Sequence, residues 1–319
     1  VAPSVAPATH LLGLLVPPTA LHHLLVAAVG EPIVLTSANS TDEPMVIDDH
    51  EARRRLGPHV DRLLLHDRAI VCRVDDSVAR VIDGGPTLLR RARGWAPEPI
   101  RLAEPVPVPI LAVGADLKST VAVAAGDRAW LSTHLGDLAH PAARDAHAAA
   151  VDHLLALAGV TPEVVAHDRH PGYASTGLAV ALAATHGAHL LGVQPHHAHL
   201  AACLAEHAVP GPVLGVAFDG LGYGTDGTAW GGELGVVTAA RFERFAHLEP
   251  VAMPGGGAAV LEPWRMAVAH LLAADRLSPP STSGAVAELL GRHLDRWEAV
   301  AERARTGVRS PSTTSAGRL

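Results

Sequence analysis

Two cysteines, Cys72 and Cys203, are all that the chain contains. That is too few for a disulfide framework or a four-cysteine zinc site, so a reducing cytoplasm is the simplest compartment. No uninterrupted apolar run approaches the roughly 20 residues that span a bilayer. The opening VAPSVAPATHLLGLLVPP has no cationic region followed by an apolar stretch and a cleavage site, as a secretory signal would. Charge is scarce: charged residues make up 18% of the chain and the net charge is −7, which argues against a surface that coats nucleic acid. Neither a membrane nor a nucleic acid is therefore expected as a partner. An initiator Met is missing and the final SPSTTSAGRL ends without a closing element, so a fragment of a longer chain is expected. What the chain does have is apolar side chain, 48% of 319 residues, enough for a substantial core in about two domains. It also has 21 histidines, many of them scattered singly, such as His59, His189 and His247; only clusters of them carry a functional reading.

The clearest seam is RLAEPVPVPILAVG, 101–114, where alternating Pro and Val favours extended structure and cannot be helical. A domain boundary is placed there, near residue 104. Before it, EPIVLTSANS predicts a buried strand at Ile33 to Thr36, DDHEARRRL a helix, and RLLLHD and SVARVID further strands. After it, ILAVG predicts a strand and TVAVAAGDRAWLS, 120–132, a hairpin turning at Gly126-Asp127. PAARDAHAAAVDHLLALAG predicts a helix whose apolar face is Ala150, Val151, Leu154, Leu155 and Ala158 and whose stop is Gly159. A strand (EVVAHD), a helix (STGLAVALAATHG), a strand (HLLGVQ) and a helix beginning at the histidines follow, then the strands VLGVAFDG and TAWGGELGVV. Three antiparallel strands followed by helix, strand, helix, strand is the order of ribonuclease H-like domains, the half-unit of actin-like folds. The tail from about residue 276 reads as helix (GAVAELLGRHLDRWEAVAERA) and then a Ser/Thr-rich end.

Five constellations could carry chemistry. GADLKST, 114–120, combines a turn glycine with Asp116 and with the donors Lys118, Ser119 and Thr120, which suit phosphate; an ordinary polar hairpin turn is the plain alternative. QPHHAHLAACLAEH, 194–207, sets His196, His197 and His199 at a helix start behind Pro195. His196 and His199 are i, i+3 and share a face, as metal ligands do, although helix-start histidines packed on a sheet would look the same. FDGLGYGTDGTAWGGE, 218–233, crowds Gly220, Gly222, Gly224, Gly227 and Gly231 behind a buried strand, with Asp219 at its end and Asp226 beyond. So much glycine is entropically costly and lets backbone N–H groups approach an anion. PGGGAAVLEPWR, 254–265, adds a second glycine turn with Glu262 and Arg265 after it. Earlier, TSANSTDEP places Ser37, Asn39 and Ser40 beyond a strand end, and Arg68, Arg73, Arg80, Arg90, Arg91 and Arg93 follow. Their bidentate forks suit phosphate and carboxylate, and the Arg90–Arg93 run reads either as an anion pocket or as a solvated face.

Taken in order, TSANSTDEP, HDRAIVCRVDDSVAR, RRARGWAP, GADLKST, STHLGDL, HDRHPGYAST, QPHHAHLAACLAEH, AFDGLGYGTDGTAWGGE and EPWRMA resemble the hydrogenase-maturation carbamoyltransferase family, HypF, over nearly the whole chain. The resemblance implies an α/β protein with a YrdC-like α/β domain (1–103, its C-terminal part) and a ribonuclease H-like, actin-type domain (104–319, incomplete at its end). It implies that carbamoyl phosphate is dephosphorylated in a preceding acylphosphatase domain. The carbamate is then joined to ATP as carbamoyl-adenylate, and the carbamoyl group passes to the C-terminal cysteine of a HypE-like partner for cyanide-ligand synthesis. By position it implies Ser37, Asn39, Arg73, Arg90, Arg93, Lys118, Gly220, Gly222, Gly224, Gly231 and Glu262 as nucleotide- or carbamoyl-binding residues. His199 and Asp219 are implied as catalytic, and His196, His199 and Asp219 as ligands of a divalent metal, iron or zinc, which would act as a Lewis acid.

The sequence departs from the family twice. The family's metal motif is His-His-His-Ala-His, with its first and last members binding, and here Pro195 stands first. Either His196 takes over as ligand or the site is weak. The family's aspartate after Pro-Gly-Gly is Gly257 here. A non-catalytic nucleotide- or partner-binding remnant, and another actin-like phosphotransferase that would release ADP, are the alternative readings. A threonylcarbamoyl-type role on tRNA is disfavoured by the lack of a basic face.

Overall fold

The computed structural model describes residues 3–7, 9–39, 43–274, 291, 293 and 296–319. The chain divides into two compact units, Val1–Arg73, whose described elements are all helical, and Val74–Leu319, which is mixed α/β.

In the first unit, local signals make two helices. Thr19 caps α1 (Ala20–Val29) by accepting from His22 N, and Gly30, in the left-handed region at φ 77°, ends it. Asp48 caps α2 (Asp49–Arg55) by accepting from Glu51 N at 2.8 Å; acidic residues fill its first turn and arginines its last, matching the helix dipole. The strands expected at Ile33–Thr36 and at RLLLHD do not form: neither segment pairs with a strand, and residues 33–36 are exposed. An apolar β-branched run supplies extended propensity, whereas a strand also needs a partner to take its backbone groups. Ser40 lies outside the described residues.

The second unit begins with an antiparallel hairpin, β1 (Val78–Ile82) and β2 (Gly85–Arg90). SVARVID is thus a strand, as expected. A four-stranded sheet follows, ordered β4-β3-β5-β6. It contains β3 (Ile100–Ala112), antiparallel to β4 (Ala122–Leu131), and then β5 (Val164–Asp168) and β6 (His189–Val193), both parallel. The expected hairpin at Gly126-Asp127 is absent. There β4 runs straight through, Gly126 (φ 56°) sits at an irregularity of register, and the far half pairs with the start of β3, where Arg101 bonds Asp127 at 2.8 Å. The Pro-Val run is extended, as expected, but it is part of β3 rather than a loop.

Helix α3 (Pro141–Ala158) and helix α4 (Ala174–His186) end at Gly159 (φ 66°) and Gly187 (φ 64°). Val151 and Leu154 from α3 and Ala179 and Ala183 from α4 join Leu111, Val113, Val121, Val123 and Val165 in the main core. Helical spacing on one side and strand alternation on the other are what allow the two layers to interdigitate.

Helix α5 (Pro195–Glu206) leads to a second sheet of β7 (Val213–Tyr223), β8 (Ala229–Val237), β9 (Phe242–His247), β10 (Val251–Ala252) and β11 (Ser312–Thr313). Its order is β10-β11-β8-β7, with β9 also on β8. Between β10 and β11 lie α6 (Gly257–Leu261), α7 (Trp264–Ala273) and α8 (Trp297–Thr306), with Trp264, Val268, Val300 and Ala301 in a small separate core. Most of the expected tail helix falls outside the described residues; α8 is its described end. Among the described residues no helix is long and apolar enough to cross a membrane.

Candidate active site

Pro195 opens α5 at a position where its missing N–H costs nothing, and Gln194 caps the helix by accepting from His197 N at 2.8 Å. This capped start fixes the directions of the three histidines. His197 turns away to the backbone, its Nε2 3.0 Å from Thr238 O. His196 is fully buried and His199 is 67% exposed, yet both aim at Asp219, which lies within β7 at a register irregularity rather than at the strand end expected: its Oδ2 lies 3.7 Å from His196 Nε2 and 3.8 Å from His199 Nε2. These separations are longer than hydrogen bonds. Burial holds His196 below the ordinary histidine pKa, against the opposing pull of Asp219 and Glu233.

Residues that looked like a bland tail close the other side of Asp219. Thr314 N donates to Ala229 O at 3.1 Å, continuing the pairing of β11 with β8. Ser315 Oγ then sits 2.8 Å from the carbonyls of both Asp219 and Gly220, and Arg318 Nε donates to Gly220 O at 3.0 Å. A side chain on Gly317 would meet Gly220 Cα at 2.8 Å. Sequence reasoning missed Thr314, Ser315, Gly317 and Arg318; nothing local marks them, because each acts on a segment about a hundred positions earlier.

A carboxylate network braces the hairpin of β7 and β8 beneath this point. Glu233, wholly buried, accepts from Gly231 N (3.1 Å), Gly232 N (3.2 Å), Arg244 (2.9 Å) and Thr314 Oγ1. Burial alone would push its pKa up, but these donors together hold it below the ordinary value. Arg244 also reaches Asp226 at 3.1 Å and stacks 3.8 Å over Trp230. Asp226 is held at a pKa of about 2, its burial outweighed by Thr228, Trp230 and Arg244.

A third group of loops meets the same strand. Asp116 of GADLKST accepts from Ala174 N and Ser175 N, both at 3.0 Å, and so caps α4. Ser119 and Asp116 also pair through their backbones with Gly136, Leu135 and Leu138 of STHLGDL. His170 stacks on Tyr173 at 4.2 Å and meets Tyr223 of β7 edge-on at 5.5 Å. Burial, together with the charges of Asp168, Asp116 and Asp219, raises the Tyr173 pKa.

Comparison with known proteins fits this layout. Residues 106–206 match the HypF Kae1-like domain, 215–319 the carbamoyltransferase Kae1-like domain, second subdomain, and 1–92 the Sua5/YciO/YrdC family, described as telomere recombination. The chain is 45% identical over 290 residues to carbamoyltransferase HypF2 of Cupriavidus necator, covering 85% of this chain and 36% of that protein. It is 41% identical over 328 residues to carbamoyltransferase HypF of Rhodobacter capsulatus, covering 99% and 42%. A crystal structure of full-length HypF in a phosphate- and nucleotide-bound form superposes with a TM-score of 0.82 at 37% identity, over 93% of this chain and 46% of that one. HypF of T. kodakarensis superposes at 0.76 with 33% identity, over 89% and 38%.

The chain belongs to the HypF carbamoyltransferase family.

It spans roughly two fifths of the length of these HypF relatives. The matched family models end at residue 92 and resume at 106.

Within this HypF chain the expected site residues divide. His196, His199, Asp219 and Gly220 come together. Gly222, Gly224 and Gly231 lie nearby, each closely packed against a neighbour. A Cβ on Gly222 would lie 2.5 Å from His196 Cε1, one on Gly224 2.2 Å from Trp230 Nε1, and one on Gly231 2.6 Å from Asp219 O. Arg90 pairs with Asp75 at 3.5 Å and Arg93 with Asp76, so both expected anion ligands already have carboxylate partners. Glu262 pairs with Arg265 at 2.6 Å and Arg296 at 3.3 Å, and these neighbours hold its pKa low; no contact among the described residues joins it to Asp219. In the first unit Ser37 Oγ bonds Asn39 Oδ1, Asn39 Nδ2 reaches Glu43 O at 3.0 Å, and Arg73 Nε reaches Met45 O at 2.7 Å. Lys118 is exposed at the turn with a left-handed φ of 49°. It is the chain's only lysine, every other strongly basic residue being arginine.

Proposed function

We propose that the chain is the transferase part of a HypF-type carbamoyltransferase, with its YrdC-like part contributing to adenylate formation. The carbamate derived from carbamoyl phosphate attacks the α-phosphorus of ATP, giving carbamoyl-adenylate and pyrophosphate. A thiolate of the C-terminal cysteine of a HypE-like protein then attacks the carbamoyl carbon and AMP leaves.

The observation that supports this best is the meeting of an exposed imidazole, a carboxylate and a guanidinium around Asp219 and Gly220 of β7. His199 stands in solvent, where an incoming thiol can reach it, and Asp219 lies 3.8 Å behind it to favour the imidazolium left after proton removal. Arg318, held by one nitrogen on Gly220 O, has further N–H groups for the charge of the adenylate phosphate. Lys118 supplies a second cation, and Ser37, Asn39, Arg73, Arg90 and Arg93 are assigned to adenylate formation. For the last two, ATP must compete with Asp75 and Asp76. The nucleotide and phosphate in the HypF structure named above are consistent with ATP as co-substrate. The divalent metal implied by the family does not fit the residues present: among the described residues no three His, Cys, Asp or Glu side chains form a metal-holding group.

The test is product analysis on the protein that carries this sequence, supplied with ATP and carbamoyl phosphate. AMP and pyrophosphate that appear only with carbamoyl phosphate support the proposal, and His199→Ala lowers transfer to a HypE-like acceptor by about 100-fold or more. ADP as the nucleotide product sinks it in favour of a phosphotransferase.

A further inference from the structure

We infer that Gln194 locks His196 in the Nε2–H tautomer, so that His196 faces Asp219 as a hydrogen donor and does not replace the metal ligand lost at Pro195. The reasoning starts from the helix cap. Gln194 is buried, and its Oε1 is committed to the His197 N–H at 2.8 Å. The other end of the same carboxamide, Nε2, lies 2.8 Å from His196 Nδ1. An amide nitrogen carries hydrogens only, so Nδ1 must accept. Turning the carboxamide over would set its NH2 against the His197 N–H and forfeit the cap, so the assignment follows from the backbone.

With Nδ1 accepting, the ring proton sits on Nε2, the atom that faces Asp219 Oδ2 at 3.7 Å. The ring has no room to turn over: it is fully buried, and it rests so closely on β7 that a methyl group on Gly222 would come within 2.5 Å of it. A metal-bound imidazole has the reverse arrangement, a lone pair toward the ion and its other N–H donated to an acceptor behind it. At His196 the group behind is a donor. Among the described residues His199 and Asp219 remain at this point, and Pro195 adds no side-chain ligand. Two ligands fall short of the three or four that protein zinc sites use. His196 Nε2 is accordingly a buried polar atom without a hydrogen-bond partner, an N–H directed at a carboxylate slightly beyond bonding reach.

One isosteric change should invert this. In Gln194→Glu, one carboxylate oxygen keeps the helix cap and the other accepts from Nδ1–H, which moves the proton and frees the Nε2 lone pair toward Asp219. Such an outer carboxylate partner changes metal affinity by about 10–100-fold.

The experiment measures zinc(II) affinity by competition with a chromophoric chelator. The expected result is that Gln194→Glu binds zinc about 10–100-fold more tightly than the unaltered protein. His196→Asn should remove that gain while leaving the unaltered protein's affinity as it was. Zinc binding by the unaltered protein as tight as in Gln194→Glu, or weakened by His196→Asn as much as by His199→Ala, overturns the inference. Imidazole 15N shifts of the unaltered protein read the tautomer without relying on any variant's folding: a protonated Nε2 and bare Nδ1 support it, and the opposite pattern overturns it. The inference concerns tautomer and metal only, so a failed carbamoyl assay would leave it standing.

Discussion

The two compact units use similar apolar residues to opposite effect. In Val1–Arg73 not one described residue is buried, and Leu14, Val16, Leu24, Val34, Leu64 and Val71 are each at least 69% exposed. In Val74–Leu319, Leu111, Val113, Val121, Val123 and Val165 are wholly excluded from solvent. Hydrophobicity does not distinguish the two; partnership does. Strand β3 has β4 on one side and β5 on the other, and α3 and α4 supply the layer that covers them. The segments around Val34 and Leu64 have no strand beside them, and α1, well capped at both ends, has no buried residue. A cap stabilises a helix by about 1 kcal/mol, which is too little to substitute for a packed face.

The comparison breaks or holds most visibly at single leucines. Leu111→Ala should cost about 2–5 kcal/mol in denaturant unfolding, since it removes a side chain enclosed by sheet and helices. Leu24→Ala should change stability by less than about 0.5 kcal/mol. Equal losses would mean that the first unit has a core after all.

Glycines sharpen the same contrast at a smaller scale. Gly222→Ala should cost about 1–3 kcal/mol by driving a methyl group into the His196 ring. Gly30→Ala meets no atom within 4 Å. Its strain, about 1–2 kcal/mol from the left-handed φ, falls on the end of α1 alone and should leave the main unfolding transition in place. Circular dichroism followed through a denaturant titration separates the two.

What could be read from the sequence was what is decided within a few residues. Gly159 and Gly187 stop their helices, Asp48 starts one, and Pro195 opens α5, because each acts on backbone groups within one turn. The meeting of His196, His199 and Asp219 was expected from one shared sheet, whereas the structure makes it across two: α5 follows β6 of the first sheet and Asp219 lies on β7 of the second. What failed was long-range. The Gly126-Asp127 turn was plausible locally but lost to a strand that starts more than twenty residues earlier. Gly222, Gly224 and Gly231 were read as a phosphate loop from composition alone, and composition could not show the rings of His196 and Trp230 and the carbonyl of Asp219 that a Cβ at these positions would meet. Composition cannot tell a glycine that admits a ligand from one that admits a neighbour. Ser315 and Arg318 were hidden for the related reason that a Ser/Thr-rich tail looks alike whether or not a sheet edge receives it.

The smallest effect expected is a pH dependence confined to the second unit. His147 is fully buried on α3, with Nε2 2.9 Å from Val113 O and no partner for Nδ1. Burial dominates its titration and holds its pKa below 6.5, the backbone bond and Asp116 opposing only in part. An unfolded histidine takes its proton near pH 6.5. The stabilisation is therefore complete above that pH and is lost as the pH falls toward the lower folded value, because there the unfolded chain binds a proton that the fold refuses. His147→Gln can keep a donor to Val113 O while removing the titration, so the decline in unfolding free energy below pH 6.5 should become shallower, by at most about 1.4 kcal/mol per pH unit. Hydrogen exchange read at β3 should follow this decline, whereas α1, with no buried group linked to it, should exchange at the same protection at both pH values. A decline unchanged in His147→Gln would place the pH sensitivity in some other group and detach it from the buried core.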